Sequence, residues 1–214
     1  MKLTIMAVKY ILFDIDNSKT KVWKKHLHNI PIDVICSSVT EIKADIYVSP
    51  ANGYGQLDGG IDKIYRTMFP GIQNTVNEHL KSYKERKPPV GVGSALLIKI
   101  PERNSQLLLA PTMELPGKLK TSWNCFWAAL AIFYLTKDFN GTVAIPGLGT
   151  GTGHIEAKEM IDMFVLAYKI SQKLEIDKVY NIPYEYNKSS LILSQSLNEQ
   201  AIPVILQNII KSLY

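Results

Sequence analysis

Strand-length apolar runs alternate with longer runs of helical period along this 214-residue chain, and turn residues separate them. That alternation is the signature of an α/β fold. The apolar spacing predicts strands at 3–14, 33–36, 45–49, 94–100, 106–111, 142–146 and 178–182. It predicts helices at 18–28, 61–84, 122–138, 155–173 and 199–213. Local chemistry supports several ends: Ser122 precedes an apolar periodic run, Asn140 and Gly141 follow it, and Pro88 and Pro89 close the basic end of the helix before them.

The chain is short enough for one α/β core, so a single domain over residues 1–214 with a C-terminal helical extension is expected. The charged segment 81–89 reads as a loop rather than a boundary, because a strand begins directly after it. With 46% hydrophobic and 20% charged residues, the composition excludes disordered, collagen-like and coiled-coil chains. The two cysteines, Cys36 and Cys125, lie far apart and support neither a disulfide scaffold nor a cysteine-based zinc site. A reducing compartment follows as the expectation, cytoplasmic with a nuclear location left open.

A formal charge of +5 favours anionic partners, and its even spread leaves both phosphate-bearing small molecules and nucleic acids open. The apolar N-terminal stretch is interrupted by Lys9 and followed by Asp14 and Asp16, and it has no small-residue cleavage pattern. It reads as a buried strand rather than a signal peptide. No run reaches the roughly 18–20 apolar residues of a spanning helix, so no membrane association is expected.

Two glycine-rich segments each follow an expected strand and open an expected helix. The first runs Ser49-Pro50-Ala51-Asn52-Gly53-Tyr54-Gly55-Gln56-Leu57-Asp58-Gly59-Gly60-Ile61-Asp62, and the second runs Ile145-Pro146-Gly147-Leu148-Gly149-Thr150-Gly151-Thr152-Gly153-His154-Ile155. Alternating glycines let backbone N–H groups turn towards a ligand without Cβ obstruction, and a helix start behind them adds its positive end, so the second segment is an anion-binding loop. No Lys-Ser or Lys-Thr follows it, which excludes a nucleotide-hydrolysing P-loop, and the placement does not fit a dinucleotide fingerprint. In the first segment Asn52 stands at a strand's carboxyl edge with an amide that can both donate and accept to sugar hydroxyls. Asp62 falls in the first helical turn, where the dipole is expected to keep it ionised.

Together these segments resemble the macrodomain family, with the match running over residues 39–167. The family's acidic residue and strand read here Asp45-Ile46-Tyr47-Val48-Ser49-Pro50-Ala51-Asn52, and its glycine run reads Asp58-Gly59-Gly60-Ile61-Asp62. The phosphate loop corresponds to residues 147–154, and the form as a whole looks like a divergent microbial or viral branch. The resemblance implies a three-layer α/β/α sandwich around a mixed sheet that binds ADP-ribose or an ADP-ribosylated molecule, with no cofactor and no metal. It implies ligand contacts at Ala51, Asn52, Gly59, Gly60, Ile61, Gly147, Leu148, Gly149, Thr150, Gly151, Thr152, Gly153 and His154. Asn52, on the distal ribose, and Asp62 are the catalytic candidates.

This sequence departs from the family pattern in three places. Ser38 stands where an acidic residue usually contacts the adenine. Gly153 stands at the phosphate-loop aromatic, and His154 where a glycine is usual. Tyr184 and Tyr186 are candidates to stack on the purine.

Competing motifs are weaker. Asp14-Ile15-Asp16 looks like the strand end of haloacid-dehalogenase-type phosphatases but lacks that family's downstream elements. His26, His28, His79 and His154 form no helical zinc pattern. Trp123 and Trp127 share one helix face and read as core, and Lys21, Lys24 and Lys25 as a solvated face. Within the macrodomain reading, a hydrolase of ADP-ribosyl adducts or of ADP-ribose phosphate stands beside a reader that binds without turnover. The alternative from another class is a nucleic-acid or poly-ADP-ribose binding module.

Overall fold

The structure, a computed structural model, describes residues 8–173, 184–187 and 189–193. In these residues the chain runs β1 (Lys9–Asp14), α1 (Asn17–His26), β2 (Ile32–Cys36), β3 (Ile46–Ser49), α2 (Gly60–Met68), α3 (Ile72–Leu80), β4 (Ala95–Lys99), β5 (Gln106–Leu109), α4 (Trp123–Thr136), β6 (Thr142–Pro146), α5 (Ala157–Ser171), β7 (Tyr184–Asn187) and β8 (Ser190–Leu193). The described strands form one sheet in the order β2-β1-β6-β3-β5-β4-β8-β7. The first five in that order run parallel, and β4, β8 and β7 add antiparallel pairings.

Because side chains alternate along a strand, each strand feeds two cores. Tyr10, Leu12, Ile46, Val48, Val143 and Ile145 face α1, α4 and α5, while Ile11, Phe13, Tyr47, Ala144, Leu107 and Leu109 face α2 and α3. The result is the expected three-layer α/β/α sandwich. α4 is apolar all round and is buried all round, as such a helix must be. Its Phe133 ring makes edge contacts with Tyr10, Phe164 and Tyr168 at 5.0, 5.1 and 5.2 Å, joining the sheet to α5. Trp127 lies in this core, and Trp123 packs edge-on against Phe126.

Several boundaries differ from the sequence reading. The helix expected over 61–84 is two helices, because Pro70 cannot continue α2 and Gly71 turns left-handed at φ 82° before α3. Ser122 does not cap α4 with its side chain; Thr121 Oγ1 accepts the Trp123 N–H at 3.3 Å instead. The strand expected at 178–182, the helix at 199–213 and residues 3–7 of the first strand lie outside the described residues. Among the described residues, no helix is long and apolar enough to cross a membrane.

α2 is held to the sheet by Tyr65, which is fully buried and donates its hydroxyl to the Val48 carbonyl oxygen at 3.0 Å. Tyr65→Phe is expected to lower stability by about 1–2 kcal/mol, the net value of one buried hydrogen bond, read as a lower urea midpoint with an unchanged slope.

Candidate functional site

A cleft of about 630 Å3 opens along the carboxyl ends of the parallel strands. Its floor follows the strand order. Ser38 and Val39 come after β2, Asp14, Ile15 and Asp16 after β1, and the glycine loop after β6. Pro50, Ala51 and Asn52 come after β3, and Thr112 and Met113 after β5. The start of α2, with Gly59, Gly60, Ile61 and Asp62, forms the facing wall. The two glycine-rich segments therefore meet across one cavity.

The glycines of the β6–α5 loop serve two purposes. A Cβ at Gly147 would lie 2.6 Å from the Trp23 ring, one at Gly149 2.8 Å from Cys125 Sγ, and one at Gly153 2.5 Å from the Gly149 carbonyl oxygen. These three let the loop sit down on the core. At Gly151, as at Gly59 and Gly60, a Cβ would meet nothing within 4 Å. The loop is closed by His154 N–H to Gly151 O at 2.9 Å and Ile155 N–H to Gly149 O at 3.0 Å. Among the described residues, the N–H groups of Gly149, Gly151, Thr152 and Gly153 have no partner. They are the donors an anion would meet.

Asn52 is held by its own loop. Its Oδ1 accepts the Tyr54 N–H at 3.0 Å and the Gln56 N–H at 3.5 Å, and its Nδ2 donates to Gln56 Oε1 at 3.2 Å. Gln73 of α3 clamps the same loop, accepting from Leu57 N–H at 2.8 Å and donating to Gly55 O at 3.0 Å. The amide oxygen is thus committed internally, and what Asn52 offers the cleft is its remaining Nδ2 hydrogen. The two-way hydrogen bonding expected from its chemistry becomes donation alone.

Asp62 departs further from expectation. It is 7% exposed, and burial pushes its carboxyl up to about 7, against the pull of the hydrogen bond that Ser49 Oγ donates at 2.6 Å. Desolvation outweighs the helix dipole that was expected to keep it ionised.

Among the described residues, the cleft wall carries four carboxylates, Asp14, Asp16, Asp58 and Asp62, against the single ammonium of Lys19. Asp14 is engaged on both oxygens, by the Asp16 N–H at 2.9 Å and by Lys19 Nζ at 3.2 Å. Asp16 caps α1 by accepting the Ser18 N–H at 2.8 Å. The phosphatase-like pair is therefore occupied with holding the β1–α1 turn. Among the described residues, no group of three or more His, Cys, Asp or Glu is gathered to hold a metal ion.

No family model matches the chain. It is 32% identical over 137 residues to an uncharacterised protein of Aquifex aeolicus (strain VF5), spanning 61% of this chain and 79% of the other, and the two belong to one family. The structure is similar to the macrodomain of Mycobacterium tuberculosis DarG, with a TM-score of 0.53 and 15% identity over 62% of this chain and 86% of that one. It is equally similar to the macrodomain of Thermus aquaticus DarG, at 0.52 and 15% over 65% and 89%. The chain is a macrodomain by its fold.

Of the ligand contacts that the macrodomain resemblance implies, all but two line the cleft. Leu148 is fully buried in the core behind the loop, and its carbonyl oxygen accepts from Cys125 Sγ at 3.2 Å. His154 lies outside the cleft with φ 54°, a left-handed conformation that a glycine would adopt without strain. Tyr184 and Tyr186 are on β7, at the edge of the sheet beyond β4 and β8. The sequence reading did not assign Ile15, Lys19, Gln56 or Thr112 to the site, and each lines it.

Gly147→Ala is expected to cost about 1–3 kcal/mol through overpacking against Trp23, while Gly151→Ala stays within about 0.5 kcal/mol, as thermal denaturation would read. The Asp62 carboxyl should titrate by NMR with a midpoint near the raised value of about 7. A raised carboxyl lets the folded state hold a proton that the unfolded chain releases near pH 4, so its burial weakens the fold progressively as pH rises from about 4 to 7. Asp62→Asn should therefore stabilise the chain most at pH 8 and least at pH 4.

Proposed function

We propose that the chain binds ADP-ribose or a close derivative and hydrolyses an ADP-ribosyl adduct. The observation that carries this reading is the row of partnerless backbone N–H groups at Gly149, Gly151, Thr152 and Gly153, in one cleft with Asn52 and a buried carboxyl at Asp62. The diphosphate would lie against that loop, where fixed backbone dipoles supply the attraction that the acidic side chains cannot. Asn52 Nδ2 would donate to a hydroxyl of the distal ribose.

With a carboxyl near 7, Asp62 is divided between its two forms at neutral pH, which suits general acid–base work. The ionised form takes a proton from water as the water oxygen bonds to the anomeric carbon. The bond from that carbon to the acyl oxygen breaks, and the proton passes on to the leaving group. Ser49 positions the carboxyl through its 2.6 Å hydrogen bond.

Calorimetry with ADP-ribose should give binding heat for the wild type and none for Gly151→Glu, which the fold tolerates because that position is open. Absence of heat in the wild type, or equal heat in both, would sink the binding reading. Release of ADP-ribose from a modified protein should rise with pH to a plateau above about 7 and be lost in Asp62→Ala. Equal release by both proteins would remove Asp62 from its role and leave a reader domain.

A second reading, a polyanion-binding module, is favoured by a second hollow that gathers Lys81, Lys84, Arg86 and Lys87 beside Tyr54. Three of those cations already pair with Glu78, Glu85 and Glu185, so little charge is left over. Affinity that falls steeply with salt would support this module over the cleft.

A further inference from the structure

We propose that Asn124 and Cys125, neighbours in the first turn of α4, are positioning residues that set the spacing between two ends of the cleft. Cys125 fixes how the β6–α5 loop presents the Gly149 N–H, and Asn124 fixes the strand end on which Asn52 stands. This rests on the ADP-ribose reading above.

Neither residue lines the cavity. Adjacent residues on a helix point about 100° apart, so one turn can reach two different loops. Asn124 Nδ2 donates to the Thr112 carbonyl oxygen at 2.8 Å, just after β5, and Cys125 Sγ donates to the Leu148 carbonyl oxygen at 3.2 Å, just after β6. In the sheet β3 lies between those two strands, so the helix start straddles the strand that leads to Asn52.

On the β6 side the peptide linking Leu148 to Gly149 is trans. The C=O and N–H of a trans peptide point in opposite directions, so a carbonyl held against the core turns the N–H of the same unit away from it. Gly149 N–H is one of the donors without a partner among the described residues. Cys125 is fully buried, and burial pushes its thiol up to about 12, so Sγ keeps the proton that it donates. Leu119, ahead of the helix, donates its N–H to the Gly153 carbonyl oxygen at 3.0 Å and so holds the far side of the same loop.

On the β5 side Thr112 is buried, and the next residue, Met113, pairs with Asn52 in an isolated parallel bridge. The Met113 and Glu114 carbonyl oxygens both accept the Gly53 N–H, at 2.9 and 3.1 Å. Asn52 therefore rests on a strap that Asn124 anchors. A ligand with its diphosphate on the glycine loop and its terminal sugar at Asn52 spans both anchors, whereas ADP engages only the first.

The test is calorimetry on the full chain with ADP-ribose and with ADP, beside melting curves without ligand. Cys125→Ala removes one donor, Cys125→Ser restores it, and Asn124→Leu removes the other without adding charge. The wild type should bind both ligands. Cys125→Ala should weaken ADP and ADP-ribose alike by roughly fivefold, and Cys125→Ser should recover to within about twofold of the wild type. Asn124→Leu should weaken ADP-ribose by a similar factor and leave ADP unchanged, a split that a general loss of stability would not produce. Undiminished binding by Cys125→Ala, or no recovery in Cys125→Ser, overturns the role of Cys125. Equal effects on both ligands in Asn124→Leu overturn that of Asn124, and ADP-ribose binding without ADP binding overturns the division into two held ends. Each of these leaves the ADP-ribose reading intact, whereas no heat from the wild type with ADP-ribose overturns that reading and this one together.

Discussion

The parallel pairing of β6 between β1 and β3 is the constraint from which the site follows. Leu12 lies opposite Ile145 and Tyr47 opposite Ala144, so the carboxyl ends of β1, β6 and β3 finish side by side. Three loops far apart in sequence are thereby aligned along one sheet edge, and the cleft is the space between them and the start of α2. Asp45 reinforces this arrangement before β3, accepting the Thr142 N–H on Oδ2 at 2.8 Å where β6 starts. Its role is to join two strands rather than to touch a ligand.

The cleft's electrostatics run against a simple charge argument. A chain of formal charge +5 builds a cavity of about 630 Å3 whose side chains, among the described residues, carry four carboxylates and one ammonium. On the proposed reading, attraction for an anion would come from oriented backbone: the β6–α5 loop packs against Trp23 and Cys125, and its N–H groups at Gly149, Gly151, Thr152 and Gly153 have no partner among the described residues. The acidic burden is also reduced, because burial favours the neutral form of Asp62 and Lys19 answers Asp14. Net charge says where the protein drifts in solution, and the cavity's local field says what it holds.

Legibility in the sequence tracked how local each interaction is. β6 was readable to the residue, since a β-branched run ends at Pro146 and the glycines begin at once. α4 was readable because its apolar residues run on past any single face. The break between α2 and α3 was written in Pro70-Gly71 but hidden by apolar spacing that continues in helical period across it. The glycines of the β6–α5 loop were visible as a pattern but not as a division of labour. Only the packed neighbours separate Gly147, Gly149 and Gly153, which make room for the core, from Gly151, which faces open space.

Residue type and spacing alone determined the α/β class, the glycine-rich character of the β6–α5 loop and the candidacy of Asn52 and Asp62, because those depend on hydrogen-bonding groups and on neighbours within a few positions. Tertiary structure alone decided which loops share a cavity and that the β1–α1 turn belongs to it, because strand order is set by long-range pairing. It also decided the protonation of Asp62: a first-turn aspartate is ionised in water, and it is the packing of α2 against the sheet that removes the water.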